Sequence, residues 1–278
     1  MSFPVVFPVF GLTLPAHAVF EILAYMVGFR LYLWLRRNQA DAFSDGQRLV
    51  VLAGAVFGAG LGSKLLGFAE HPELWPVAAH QPAAVLGAKT ILGALLGGII
   101  GVEVAKAMAG IRGSTGDIYV LPLLTAIAIG RVGCLLTGVS DGTWGDATRL
   151  PFGFDAGDGV IRHPTPLYEI LFLMLLGLAF LALRRVRLQT GDRFKLFIMA
   201  YCAWRFVVEF LKPVTTYSLG QHLNIVQNIA TTTSLRAAPG LSLLQAAALA
   251  GFAAYAAVFA RRSWKGLSWR RATISSSN

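Results

Sequence analysis

Seven charged side chains in the apolar runs of this chain are candidates for chemistry: Glu21, Lys89, Glu103, Arg131, Glu169, Arg205 and Glu209. A charge within an apolar run is expensive, so it either pairs with a neighbour or marks a functional site. Glu209 follows Arg205 by four residues and shares its helical face, so those two can satisfy each other. Arg131 has no carboxylate at helical spacing. It needs a partner on another segment or a bound anion, and a guanidinium fork suits a carboxylate or a phosphate equally well. Cys134 and Cys202 are the two cysteines, both in apolar runs, and are expected as buried thiols.

The elements that must hold these groups follow from composition. The chain has 278 residues, of which 55% are hydrophobic and 14% charged, with a mean hydropathy of +0.62. A typical soluble domain has about 25% charged residues. This balance excludes a disordered chain, a coiled coil and a disulfide-stapled module, and it points to a helical integral membrane protein. Seven apolar segments reach spanning length, at about 16–35, 49–68, 84–108, 117–137, 164–183, 194–211 and 241–260. The expected fold is therefore all-α, a polytopic membrane bundle of about seven helices. One membrane-embedded domain, 1–278, is expected, with a polar loop at 138–163 and a basic tail at 261–278. The stretch 222–233 reads as an interfacial or broken lead-in to the last span.

The net charge is +10. Its distribution speaks for loops facing the cytoplasm and not for nucleic-acid binding. Alternate loops carry most Lys and Arg: Arg36, Arg37 and Arg48, then Lys106 and Arg112, then 184–195, then 261–271. The positive-inside rule puts those loops in the cytoplasm, the N-terminus outside and the C-terminus inside. No Lys or Arg precedes Arg30, so the first span is expected to stay in the mature chain. The 138–163 loop is Gly-rich and carries turn signals at Asp141-Gly142 and Asp158-Gly159, which predict an ordered outer loop containing a hairpin. The small residues in GAVFGAGLG and LGALLGGIIG predict close helix packing.

Three motifs on the fourth to sixth spans give these charges a context. The first is Gly130-Arg131-Val132-Gly133-Cys134, running on to Gly138 and Asp141-Gly142. The second is Arg162-His163-Pro164-Thr165-Pro166-Leu167-Tyr168-Glu169. The third is Tyr201-Cys202-Ala203-Trp204-Arg205-Phe206-Val207-Val208-Glu209-Phe210-Leu211-Lys212. With the run Leu150–Phe154 (LPFGF), they resemble the prolipoprotein diacylglyceryl transferase family in order, spacing and setting, over about residues 12–260. The resemblance implies a seven-span bacterial inner-membrane enzyme with its N-terminus outside. Such an enzyme moves a diacylglyceryl group from phosphatidylglycerol to the lipobox cysteine of a preprolipoprotein and releases glycerol phosphate, with no metal or organic cofactor. Its partners are then phosphatidylglycerol, the preprolipoprotein signal peptide and membrane lipids, with no nucleic acid.

On that resemblance, Arg131 and Arg205 hold the phosphate and stabilise its developing charge, converging on one anion site. The thiol proton needs a base or a pKa-lowering cation. His163, Asp141 and Glu209 are candidates, with Lys89 as a point charge near phosphate. Tyr168 and Tyr201 can donate to phosphate oxygens, and Gly142 and Glu169 complete the expected substrate contacts. The chain also departs from the family pattern. Its third span reads Lys89-Thr90-Ile91-Leu92-Gly93-Ala94 where relatives carry a His-Gly-Gly. Pro166 stands for a glutamine, Cys134 for an asparagine, and Val139-Ser140 for an acidic position. A non-catalytic paralog that binds phospholipid or lipopeptide is the alternative reading. A transporter is a third, with no inverted repeat to support it.

Overall fold

A computed structural model describes residues 3–9, 11–37, 43–71, 74–75, 80, 87–186, 188–212 and 241–275. Seven α-helices occur among them: α1 (Ala16–Arg37), α2 (Asp45–Glu70), α3 (Ile91–Met108), α4 (Val120–Thr137), α5 (Thr165–Ala182), α6 (Asp192–Val208) and α7 (Leu243–Ser275). Six have segments long and apolar enough to cross a membrane; α6, with 17 residues, is the exception. The helices coincide closely with the expected spans except at the last, where α7 runs on to Ser275 through most of the stretch expected as a basic tail, and at the third. There α3 starts at Ile91, with Thr90 as its N-cap, whose Oγ1 accepts from Gly93 N at 3.1 Å; residue 84 lies outside the described residues. Lys89 therefore lies ahead of the helix and not within it. The 222–233 segment lies outside the described residues.

Large apolar side chains point outward along these helices, among them Ile22, Met26 and Phe29 on α1 and Val56, Phe57, Leu61 and Leu65 on α2. In water such faces would drive association. Against lipid tails they need no cover, and helix contacts fall to small residues and polar pairs instead. The chain is a multi-pass membrane protein.

The helices group into two compact units. The first comprises residues 1–41, 114–200 and 210–213, and so holds α1, α4, α5 and the start of α6. Two antiparallel hairpins accompany these helices. β1 (Val6–Val9) pairs with β2 (Leu12–Pro15), and β3 (Phe154–Asp155) pairs with β4 (Ile161–Arg162). The second is the hairpin expected in the 138–163 loop. Asp155 Oδ1 accepts from Gly157 N and Gly159 N, at 2.9 and 3.0 Å, and fixes its turn. The first hairpin has no counterpart among the expected elements, which begin at residue 16. Asp117 supplies a non-local cap: its carboxylate accepts from Gly191 N at 2.6 Å and Phe194 N at 3.0 Å, satisfying donors at the α6 N-terminus.

The second unit comprises residues 42–113, 201–209 and 214–278, and holds α2, α3, α7 and the end of α6. Ser44 and Gln47 form a reciprocal capping box at the start of α2. Along α2 and α3, Gly54, Gly58 and Gly62 face Gly101, Gly97 and Gly93. A Cβ at Gly58 would strike Gly97 O, and one at Gly97 would strike Gly58 O. Only hydrogen fits there, so the two backbones touch directly. The expectation of close packing through these glycines holds.

Candidate active site

Arg131 sits on the last turns of α4, and Glu169 on the first turn and a half of α5. The Arg131 Nη2–Glu169 Oε2 distance is 2.9 Å, with Arg131 5% and Glu169 2% exposed. This is the inter-helix partner that Arg131 required. A pair so deeply buried costs several kcal/mol of desolvation per ion, and it persists only with close geometry. Arg131 Nη1 also points to Cys134 Sγ, at 3.6 Å, one turn along α4.

The C-terminal end of α4 meets the N-terminal end of α1 here. His17 Nδ1 is 2.8 Å from Asp141 Oδ1, and His17 Nε2 is 3.6 Å from Glu21 Oε2. Asp141 closes a short 3-10 turn, Gly138–Asp141, and Gly142 follows in the left-handed region at φ +69°, turning the chain back over the helix end. Thr143 Oγ1 donates to Asp141 Oδ2 at 2.6 Å. The α4 helix thus ends on a glycine-led reversal that returns a carboxylate to the thiol of Cys134 and the imidazole of His17.

His163 is held by its backbone: its N–H donates to Asp146 O, and its carbonyl accepts from Gly145 N. Its ring Nδ1 is 3.3 Å from Tyr168 Oη. Pro164 and Thr165 open α5 directly after it. Thr165 is buried, and its hydroxyl donates to Thr143 O, tying the helix start to the loop that carries Asp141.

In the second unit, Arg205 Nη2 bonds Glu209 Oε2 at 2.9 Å, the i,i+4 pair read from the sequence, and both residues are buried. Tyr201 is fully buried one turn before Arg205. Lys89 precedes α3 in an extended lead-in, where Thr90 N donates to Ser63 Oγ at 3.1 Å.

A family model described as prolipoprotein diacylglyceryl transferase matches residues 4–257. The chain belongs to the prolipoprotein diacylglyceryl transferase family. Among its relatives is the phosphatidylglycerol–prolipoprotein diacylglyceryl transferase of Dehalococcoides mccartyi (strain ATCC BAA-2266), 29% identical over 233 residues, covering 78% of this chain and 85% of the relative. The protein of the same name from Wolbachia pipientis wMel is 29% identical over 226 residues, covering 74% and 81%. That of Clostridium tetani is 26% identical over 231 residues, covering 75% and 85%.

Within this family member, the structure brings together Arg131 with Glu169, His163 with Tyr168, and Arg205 with Glu209. Arg131 and Arg205 belong to different compact units. His17 is not among the sequence-derived candidates, and Cys134 is a buried thiol, as expected. His17 opens a span in an otherwise apolar stretch, a weak signal in itself. Its significance comes from Asp141, 124 positions later in the chain.

Proposed function

We propose that this chain transfers a diacylglyceryl group from phosphatidylglycerol to the lipobox cysteine thiol of a prolipoprotein, releasing glycerol phosphate, in a bacterial inner membrane. The observation that carries the reading is the buried Arg131–Glu169 pair at one end of the first unit, within a match that spans most of the chain. The chemistry asks for such a group. The thiol sulfur attacks the glycerol carbon, the carbon–oxygen bond breaks, and its electron pair leaves on the phosphate oxygen. A guanidinium fixed in low dielectric stabilises that growing charge without reorganising. Glu169 holds Arg131 in place and keeps the resting site neutral until the phosphate arrives.

Arg205–Glu209 repeats this design on α6 and is our second candidate for phosphate contact. Tyr168, Gly142 and Asp141, all of the first unit, are our candidates for substrate placement, and His163 is positioned by Tyr168. Tyr201 contributes to the packing under Arg205. Lys89, ahead of α3, is retained as a cation for an anionic headgroup.

The test is complementation of a strain depleted of its own transferase, together with transfer from labelled phosphatidylglycerol to a lipobox peptide by the purified protein. Growth and a labelled thioether product are the expected results. Binding of phosphatidylglycerol without transfer would replace this reading with a non-catalytic lipid-binding paralog.

A further inference from the structure

Three side chains near Arg131 form a cluster of their own. One ligand atom each from His17, Cys134 and Asp141 lies within 4.8 Å of the other two. The residues come from the start of α1, the last turn of α4 and the turn beyond it, so the fold assembles them. His17 Nδ1 is buried and lies 2.8 Å from Asp141 Oδ1. Nitrogen, oxygen and sulfur donors thus crowd one small volume at the junction of α1 and α4.

The donor set is informative. Calcium and magnesium take oxygen ligands. A mixed imidazole, carboxylate and thiolate set suits zinc and its first-row neighbours. Each donor also has an outer partner of the kind that orients metal ligands. Glu21 Oε2 faces the other ring nitrogen of His17 at 3.6 Å, Thr143 donates to the second oxygen of Asp141 at 2.6 Å, and Arg131 points to Cys134 Sγ at 3.6 Å. The ligand charges balance as well: a divalent cation is neutralised by the Cys134 thiolate and the Asp141 carboxylate, and Arg131 is paired with Glu169, with the Glu21 carboxylate outside the ligand set.

We propose that His17 Nδ1, Cys134 Sγ and Asp141 Oδ1 bind one divalent transition metal of the zinc class and leave its fourth position open. Tetrahedral bonds of about 2.0–2.3 Å set nitrogen and oxygen donors about 3.3 Å apart, so binding widens the His17–Asp141 gap by about half an ångström. The Cys134 thiol proton and any proton on Nδ1 go to solvent as the metal enters. Three protein ligands and an open position form the pattern of a working zinc site. On the transferase reading, the open position would take the acceptor's lipobox thiol, whose proton passes to solvent as its sulfur joins the metal. The resulting thiolate then lies beside Arg131, where the phosphate is held.

The experiment uses the full chain in detergent, stripped with a chelator and titrated with Co²⁺. The expected result is one equivalent bound, with tetrahedral ligand-field bands and a sulfur-to-cobalt charge-transfer band. Cys134→Ser should abolish the charge-transfer band, and His17→Ala should abolish tight binding. Glu21→Gln should weaken binding about tenfold through the His17 orientation. Thermal unfolding of each variant controls for misfolding. Wild-type protein that binds no more Co²⁺ or Zn²⁺ than folded Cys134→Ser overturns the proposal. A lipobox peptide should shift the cobalt spectrum, and an unchanged spectrum removes the thiol from the fourth position. Transfer that survives metal stripping in full separates the two readings: the transferase stands and the metal has no part in its chemistry.

Discussion

The Arg131 guanidinium and the Glu169 carboxylate meet at 2.9 Å between α4 and α5, both almost wholly buried. Removing either partner strands a charge. Glu169→Ala should cost about 3–5 kcal/mol of stability, the usual loss on breaking a buried pair. Arg131→Lys keeps the charge and loses the fork, so the protein should fold while transfer falls about ten- to hundredfold, equivalent to one charged hydrogen bond. Arg205→Lys should behave in the same way. Thermal unfolding in detergent and the labelled-lipid assay measure the two effects, and full transfer by both lysine variants would remove the arginines from phosphate binding.

His163 and Lys89 are the sequence-derived candidates for handling the thiol proton or the headgroup charge. If His163 works as an acid or base, His163→Ala should lower transfer about a hundredfold or more. Tyr168→Phe, which removes the 3.3 Å contact to its ring, should have a smaller effect. Lys89→Ala should raise the lipid concentration needed for half-maximal rate. Unchanged kinetics in both His163→Ala and Lys89→Ala would assign thiol activation elsewhere, with His17 and Cys134 next in line.

The α2–α3 contact predicts a position-specific response to a single methyl group. Gly58→Ala places a Cβ on Gly97 O, so the helices must part, at about 1–3 kcal/mol. Gly60, on the same helix, has nothing within 4 Å of its would-be Cβ. Gly60→Ala should be neutral or stabilising by up to about 1 kcal/mol. Equal melting temperatures for the two variants would contradict the packing.

Loop charge predicts sidedness. In intact cells, a membrane-impermeant thiol reagent should label Asp158→Cys from outside and reach Gln189→Cys only after the membrane is opened. Both positions are exposed. Labelling of Gln189→Cys in intact cells reverses the orientation.

The outer hairpin carries a pH signature. Arg162 Nε donates to Asp158 Oδ2 at 2.8 Å, and this holds the Asp158 carboxyl below its ordinary value of 3.8. A depressed folded value means the pair supports the hairpin above pH 3.8 and that this support fades as pH falls through the lowered value. Asp158 is exposed, so the effect is small and salt-sensitive. NMR titration of the Asp158 carboxyl carbon should show a midpoint under 3.8, returning toward it in Arg162→Ala.

Much of this protein is determined locally. Apolar runs of spanning length placed the helices, since a bilayer admits little else. The i,i+4 spacing joined Arg205 to Glu209, and Asp158-Gly159 marked a turn that the β3–β4 hairpin contains. Thr90 caps the third helix at Ile91, a boundary that the continuous apolar run does not mark. Tertiary structure decided the rest. Arg131 needs a carboxylate, but only the packing of α4 on α5 selects Glu169. The glycine rows suggested close contact, but only the pairing of α2 with α3 shows which glycines meet. His17, Cys134 and Asp141 share no period or motif. They converge because the start of one helix packs beside the end of another, and Gly142 turns the chain so that the intervening loop folds back over that junction.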